Sequence, residues 1–104
     1  SVTMMLQRDS LTYCSADNIE KRCYVRLSLE DKPGAMAQVM TIFGKHNISI
    51  ASVVQKERHS AGYAPVVILT QEAKESEFSA AMDEISALAV SRHVPVRMRL
   101  EDFE

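Results

Sequence analysis

The feature that most constrains the fold of this chain is a repeated change in the spacing of its apolar residues. A spacing of two residues predicts a strand with one buried face, whereas spacings of three and four predict a helix packed on a core. An alternating apolar set predicts the first strand: Cys23, Val25, Leu27 and Leu29. A helical set follows it: Met36, Val39, Met40 and Phe43. Pro33 and Gly34 lie between the two sets and predict a turn that also begins the helix.

The same change of spacing recurs in the second half of the chain. A second strand, through about Lys56, is predicted by another alternating set: Ile48, Ile50, Ser52 and Val54. A glycine-containing turn at residues 58–62 leads to residues 66–70, whose unbroken β-branched and apolar run is typical of a central strand. A second helix, with Ser76 as its N-cap, is predicted by the helical set Phe78, Met82, Ile85 and Leu88 or Ala89. A last alternation predicts a fourth strand: Val94, Val96, Met98 and Leu100.

The predicted order of elements is β-α-β-β-α-β, which is the ferredoxin-like arrangement of the α+β class. Right-handed crossovers place both helices on one face of a four-stranded antiparallel sheet. Besides one side of the third strand, the predicted core contains Cys23, Val25, Leu27, Leu29, Met36, Val39, Met40, Phe43, Ile48, Ile50, Met82, Ile85, Val96 and Met98. The other face of the sheet should show Tyr24, Arg26, Ser28, Arg97 and Arg99. Because that face and the sheet edges are left uncovered, we expect a homodimer or higher oligomer.

The first twenty residues show no sustained apolar period. We interpret residues 1–20 as a linker or N-terminal arm and residues 21–104 as one folded domain. Cys14 and Cys23 are nine positions apart, and we expect both to be free thiols, as cytosolic cysteines usually are. The chain begins with Ser1, so either an initiator was removed or this is a piece of a longer protein; both alternatives stay open.

Composition excludes several classes of function. The net charge of -2 argues against a nucleic-acid partner, whose binders usually carry a basic face. No apolar run approaches the roughly 18 residues that cross a bilayer, and the first residues lack the layout of a secretory signal. We therefore expect a cytoplasmic location, with no membrane contact.

Catalytic motifs are not found in the sequence. It has no nucleophile elbow and no phosphate-binding glycine loop, and its three glycines make a nucleotide site implausible. The three histidines, His46, His59 and His93, are scattered, so no metal site is expected. We predict no catalytic residue, no metal and no cofactor.

The turn before the first helix is the candidate binding site. Gly34 has no Cβ and lets a ligand approach the backbone, and the free N–H groups of a helix's first turn attract a carboxylate. Alternatively, Pro33 and Gly34 only form the turn. Asn47 either caps the helix or offers its amide to a polar ligand, and Gln55 lies further along the next strand, where it is either a surface residue or a ligand contact.

Several segments together resemble an ACT domain. They are residues 24–37, which contain the Asp-x-Pro-Gly turn, residues 42–50 and 53–56, residues 64–70 with Glu72 and Ala73, and residues 94–99. More narrowly, they are similar to the ACT domains at the carboxyl end of homoserine dehydrogenases. The resemblance covers roughly residues 20–102. One departure is Ala35 and Met36, where Val-Leu is common in the family.

The resemblance implies feedback sensing in threonine biosynthesis. A parent enzyme of this kind reduces aspartate semialdehyde with a nicotinamide cofactor, and threonine inhibits it through such a domain; the catalytic domain would be a partner that this chain lacks. In the family the ligand site lies at a dimer interface. Carried over, the site is Asp31, Lys32, Gly34, Ala35, Met36, Asn47 and Ile48. The alternative function is a purely structural dimerisation module without a bound effector.

Overall fold

The computed structural model describes residues 2–7, 10–15, 20–57 and 61–92. In chain order the elements are β1 (Val2–Gln7), β2 (Ser10–Ser15), β3 (Glu20–Lys21), β4 (Cys23–Glu30), α1 (Ala35–Lys45), β5 (Ile50–Gln55), β6 (Tyr63–Thr70), β7 (Ala73–Lys74) and α2 (Glu75–Ser86). The predicted ferredoxin-like α+β fold is confirmed, with β4, β5 and β6 as the first three predicted strands. The predicted fourth strand and residues 93–104 lie outside the described residues.

Within the described residues, the main sheet has five antiparallel strands in the order β1-β2-β4-β6-β5. The two short strands β3 and β7 pair separately. β6 lies between β4 and β5, as its unbroken apolar run predicts, and its residues from Ala64 to Ile68 are buried. β5 is an edge strand, so its outer N–H and C=O groups are unpaired within the described part of the chain.

One face of the sheet carries the core. Alternate residues of β4 and β6 form one buried cluster with residues of both helices, so α1 and α2 cover the same face. Nine of the predicted core residues are buried: Cys23, Val25, Leu27, Leu29, Val39, Phe43, Ile48, Met82 and Ile85. Met36, Met40 and Ile50 are partly buried and pack against this cluster. Val96 and Met98 lie outside the described residues. Each fully buried aliphatic or aromatic side chain stabilises the fold by about 1.5–3 kcal/mol.

Ser28 differs from its prediction, because only 6% of it is exposed. It was expected on the open face of the sheet. Pro65 of β6 lies directly opposite Ser28. The Ser28 carbonyl accepts a hydrogen bond from the Arg92 N–H at 2.9 Å. The chain after α2 therefore returns alongside Ser28.

The N-terminal segment forms a hairpin that extends the sheet. β1 pairs with β2, and β2 pairs with β4 from Leu11 opposite Arg26 to Cys14 opposite Cys23. The sequence showed no period here, because contiguous apolar residues do not specify which face of a strand is buried. The division into an arm at residues 1–20 and a domain at 21–104 stays a prediction.

The prediction that both cysteines are free thiols is wrong in this structure. Cys14 and Cys23 form a disulfide, and both are buried. They lie directly opposite each other in the antiparallel register of β2 and β4. Their separation of nine residues could not indicate this pairing, because β2 itself was not predicted.

The two helix ends show how local sequence sets the chain path. Asn47 has a φ of 60°, and it closes α1 as the predicted left-handed residue. The Asn47 N–H donates to the Gly44 carbonyl and the Ile48 N–H to the Phe43 carbonyl, the two bonds of a Schellman motif. The predicted N-cap of α2 is wrong: Lys74, in an extended conformation, is the N-cap, and Ser76 lies inside the first turn.

Candidate functional site

A cavity of about 370 Å³ lies where β4 ends and α1 begins. Six of the eight residues in the predicted site line it: Asp31, Lys32, Gly34, Ala35, Met36 and Gln55. Leu29, Ala64 and Val66 form its apolar floor, since all three are buried residues of the sheet. The turn and the end of β5 therefore converge on one cavity, although they are more than twenty residues apart in sequence.

The backbone at the start of α1 has amides without a described backbone acceptor, and Met36, which carries one of them, lines this cavity. Gly34 is the N-cap of α1, with a φ of 85°, and no described side chain caps the helix. The Ala35 N–H donates to the Lys32 carbonyl at 3.3 Å, but among the described residues no backbone carbonyl outside α1 accepts from Met36 or Ala37. The first turn also holds no acidic side chain. These two amides, which have no described backbone acceptor, and the positive end of the helix dipole make this a favourable place for an anion.

Charged and polar side chains also line the cavity at this turn. The Lys32 ammonium pairs with the Glu30 carboxylate at 3.2 Å. The Gln55 side-chain amide lies 3.5 Å from an Asp31 carboxylate oxygen, to which it donates. The cavity therefore places two kinds of group close together: carboxylates, which attract a cation, and backbone amides, which attract an anion.

A β-bulge in β5 aims Gln55 at this cavity. Ile50 lies opposite Thr70 and Ser52 opposite Leu69, so Ala51 is an extra residue without a partner. Beyond it, Val53 and Gln55 lie opposite Ile68 and Val66, which face the helices. A regular strand would instead send Gln55 to the open face, because a shift of one residue exchanges the two faces. The sequence-based expectation that Ile50, Ser52 and Val54 share a face is wrong for this reason.

Asn47 and Ile48 lie away from the cavity within one chain. They follow the C-terminal end of α1, and the helix of 11 residues is about 16 Å long. Ile48 is buried in the core, with 4% of it exposed. Asn47 is exposed and lines a second cavity of about 380 Å³, together with His46, Lys74, Ser76 and Glu77. Their place in the effector site stays a prediction.

A charged cluster joins the C-terminal end of α1 to α2 beside this second cavity. The His46 Nδ1 lies 3.2 Å from a Glu77 carboxylate oxygen, and its Nε2 contacts Glu84. Glu84 also accepts from the Lys45 ammonium. Hydrogen bonds to Glu84 and then Glu77 raise the pKa of His46 above its ordinary 6.5. Bonds from Lys45 and then His46 lower the pKa of Glu84 below 4.5.

Sequence reasoning missed this cluster and the cavity floor. Glu77 and Glu84 are seven residues apart, so they share one face of α2, and this spacing was the available signal. Nothing in the sequence indicated that His46 would lie between them. Val66 was predicted to be a strand residue and Ala64 was named only in the resemblance, and the pairing of β4 with β6 brings both of them under the turn.

Other site classes find no support in the described part of the chain. Residues 20–57 and 61–92, with the described cysteine of β2, hold no group of three or more His, Cys, Asp or Glu side chains arranged for a metal ion. Neither described helix has the length and apolar character that crossing a bilayer requires.

The fold and the site define a class of small regulatory domain, a ferredoxin-like sandwich with a ligand-sized cavity at the first strand–helix turn. The chain belongs to the ACT domain family, whose model matches residues 24–89. It is 33% identical over 91 residues to a homoserine dehydrogenase of Synechocystis sp., covering 85% of this chain and 21% of that protein. A homoserine dehydrogenase of Pseudomonas aeruginosa is 34% identical over 85 residues, covering 81% and 20%.

A solved structure agrees with these relatives. The crystal structure of a homoserine dehydrogenase from Thiobacillus denitrificans superposes with a TM-score of 0.59 and 32% identity, covering 66% of this chain and 15% of that one. The chain thus spans about a fifth of the length of the curated relatives that it matches. It is an ACT regulatory domain of the homoserine dehydrogenase type, and the catalytic part of those relatives has no counterpart in it.

Proposed function

We propose that this domain binds a small amino acid, threonine first, and thereby mediates feedback control of a homoserine dehydrogenase catalytic part. The observation that carries the proposal is the cavity at the start of α1, which offers carboxylates and amides without a described backbone acceptor within one small space. A free amino acid is a zwitterion, and its two charges require these two kinds of group. Its carboxylate would lie at the amides of Met36 and Ala37, and its ammonium near Asp31.

The remaining lining suits a short side chain that carries both a hydroxyl and a methyl group. The Gln55 amide can donate to and accept from a hydroxyl. Met36 and Ala64 offer apolar surface to a methyl group. A volume of about 370 Å³ is at the lower end of the range for small-molecule sites, which also favours a small ligand.

Oligomerisation through β5 would complete the site. Val53 and Val54 are the exposed large apolar residues of the described chain, at 38% and 42%, and both lie on this edge strand. The strand carries no charge, proline or glycine that would discourage pairing with another strand. Antiparallel pairing about a twofold axis places the start of one β5 beside the end of the other. Asn47 of the partner subunit would then lie near Gln55.

The domain's further partner would be the catalytic part of a parent enzyme, because the relatives carry that part in the same chain. Its location would be the cytoplasm, where such amino-acid biosynthesis takes place. Threonine bound at the dimer interface would shift the relative orientation of the two copies. This change in orientation would be transmitted to the catalytic part. This coupling requires that threonine bind the two orientations of the dimer, before and after the shift, with different affinity.

Calorimetric titration of the chain with threonine, isoleucine, serine and lysine tests the proposal. We expect threonine to bind most tightly. Asp31→Asn should weaken threonine binding about tenfold, because it removes the charge that faces the ammonium. The matched control is Asp83→Asn, the same change at an exposed position of α2, which should leave the affinity unchanged. Absence of binding by all four amino acids at millimolar concentration would favour the structural dimerisation module instead.

A further inference from the structure

A disulfide joins the N-terminal hairpin, formed by β1 and β2, to the edge of β4. Cys14 of β2 and Cys23 of β4 lie directly opposite each other, and their Cα atoms are 4.1 Å apart. Such a short separation is typical of a cross-strand pair that exchanges no backbone hydrogen bonds. Both cysteines belong to the buried core. The covalent bond thus reinforces a position at which the two strands share no hydrogen bond.

The backbone direction of β4 identifies the residues that do bond to β2. The Cys23 N–H donates to the Thr70 hydroxyl at 3.0 Å and therefore points towards β6. Because the backbone groups of successive residues point to opposite sides of a strand, those of Val25 also point towards β6. The groups of Tyr24 and Arg26 point towards β2, whose described register covers both of them. Two residues of β4 thus carry the backbone hydrogen bonds to β2 in this register.

The packing of β2 contains a defect. Thr12 lies opposite Val25 and is fully buried, and its hydroxyl has no hydrogen-bond partner among the described residues. A buried hydroxyl without a partner destabilises the arrangement that buries it. Since β2 also has few hydrogen bonds to β4, it should separate from the sheet readily once the covalent bond is broken.

We infer that Cys14 and Cys23 form a reversible redox site that controls the attachment of the hairpin to the domain. While the disulfide is intact, β2 stays at the edge of β4, because the covalent bond limits how far the two strands can separate. When both cysteines are reduced, the hairpin separates from this edge at least tenfold more often. Each separation exposes the backbone groups of Tyr24 and Arg26 to solvent.

The redox step is a thiol–disulfide exchange. A dithiol breaks the sulfur–sulfur bond, its two electrons and two protons pass to the cysteines, and it becomes a cyclic disulfide. Glutathione disulfide reverses the step: it takes two electrons and two protons from the cysteines, their sulfurs rejoin, and two glutathione thiols are released. Because Cys14 and Cys23 are only 3% and 1% exposed, the exchange proceeds through local opening of the hairpin.

A reversible bond suits the proposed location of the domain. Cytoplasmic thiols are kept reduced, and the disulfides that do form there are usually transient and either catalytic or redox-sensing. A sensing role fits a regulatory domain. The cytoplasmic location rests on the proposed function, whereas the bond and its effect on β2 rest on the geometry alone. A test without an amino-acid ligand therefore separates failure of this inference from failure of the proposed function.

Hydrogen exchange of the whole chain, resolved at single amides by NMR, is this test. After complete reduction with dithiothreitol, protection should fall at least tenfold at Tyr24 and Arg26, because their N–H groups lose their acceptors in β2. Protection at Val25 and Leu27, which face β6, should be retained, so neighbouring residues of one strand serve as internal controls. Addition of glutathione disulfide should restore protection at Tyr24 and Arg26.

Two variants separate the disulfide from other effects of the reductant. In Cys14→Ala, dithiothreitol should change nothing further, because the variant has no bond to break. In the reduced chain Thr12→Val should raise protection at Tyr24 and Arg26, because it removes the unpaired hydroxyl. Thr41→Val, at an exposed position of α1, is the matched control and should have no such effect.

Thiol labelling of the denatured chain must first establish each redox state. Two free thiols after treatment with glutathione disulfide would overturn the inference, because the bond would then not form. Unchanged protection at Tyr24 and Arg26 in the fully reduced chain would overturn it as well. An equal loss of protection at Val25 and Leu27 would have the same consequence, since reduction would then loosen the whole sheet rather than release the hairpin.

Discussion

Gly34 and Gly44 lie near the two ends of α1 but in different backbone conformations. Gly34 has a φ of 85°, in the left-handed region, whereas Gly44 lies within the helix. A Cβ added at either position would meet no atom within 4 Å. Space is therefore not the reason for either glycine, and only the backbone of Gly34 requires one.

The same substitution at these two positions should have opposite effects on stability. Gly34→Ala should lower the free energy of unfolding by about 1 kcal/mol, because an L-residue is strained in the left-handed region. Gly44→Ala should raise it by about 0.5 kcal/mol, because alanine restricts the unfolded chain and favours the helix. Urea unfolding of the two variants and the parent chain measures both changes. A loss of stability in both variants would contradict the conformational explanation.

At the scale of elements, the two helices are joined by charge as well as by apolar packing. His46 follows α1 and lies between Glu77 and Glu84 of α2, with 14% of its side chain exposed. A protonated imidazole can donate from both nitrogens, whereas a neutral one can donate from only one. Positive charge at the C-terminal end of α1 is also favoured by the helix dipole. The cluster should therefore stabilise the helix pair most while His46 is protonated and Glu84 is ionised.

The signs of the two pKa shifts define a pH window for this cluster. The pKa of His46 is raised, so its contribution is complete below pH 6.5 and is lost as pH rises through the higher folded value. The pKa of Glu84 is lowered, so its contribution is complete above pH 4.5 and is lost as pH falls through the lower folded value. We expect the cluster to stabilise the fold most between about pH 4.5 and 6.5.

Thermal unfolding of His46→Gln and the parent chain between pH 5.5 and 8.5 tests this window. The melting temperature of the parent should fall, relative to that of the variant, as pH rises through the folded pKa of His46. Glu84→Gln should reduce this difference, because it removes the main cause of the raised pKa. Glu72→Gln, at an exposed position of the second cavity, is the control and should preserve it. Parallel pH profiles for His46→Gln and the parent would rule the cluster out as a source of stability.

At the scale of the whole molecule, the open edge at β5 and the cavity at α1 are neighbours. Gln55 belongs to both, since it ends the edge strand and lines the cavity. The bulge at Ala51 sets this relation, because it turns Gln55 towards the helices and Val54 towards the open face. A dimer formed through β5 would therefore enclose the side of the cavity that one chain leaves open.

Substitution of Val54 by lysine tests the proposed dimer. We expect the parent chain to be at least dimeric at micromolar concentration by light scattering. Val54→Lys should weaken association at least tenfold, because two lysines would approach across the twofold axis and charge on an edge strand opposes pairing. Thr41→Lys adds the same charge on the exposed side of α1 and should leave the oligomer mass measured by light scattering unchanged. A monomeric parent chain across the whole concentration range would exclude this interface.

The sequence by itself determined the elements whose residues are held by local rules. Apolar spacing located β4, α1, β6 and α2, because a buried face imposes the period of the element that carries it. Pro33, Gly34 and Asn47 marked the ends of α1, because positive φ and turn conformations are properties of single residues. Pro33 and Gly34 also belong to the Asp-x-Pro-Gly turn, which is one part of the resemblance to the ACT family.

The tertiary structure alone decided which distant residues meet. The bulge that aims Gln55 at Asp31, the disulfide between Cys14 and Cys23, and the place of His46 between two carboxylates all depend on pairing across strands or helices. Strand register is a collective choice, since a shift of one residue exchanges the two faces of a strand without changing its composition. The local pattern therefore located the site-bearing turn, and long-range register selected the side chains that surround it.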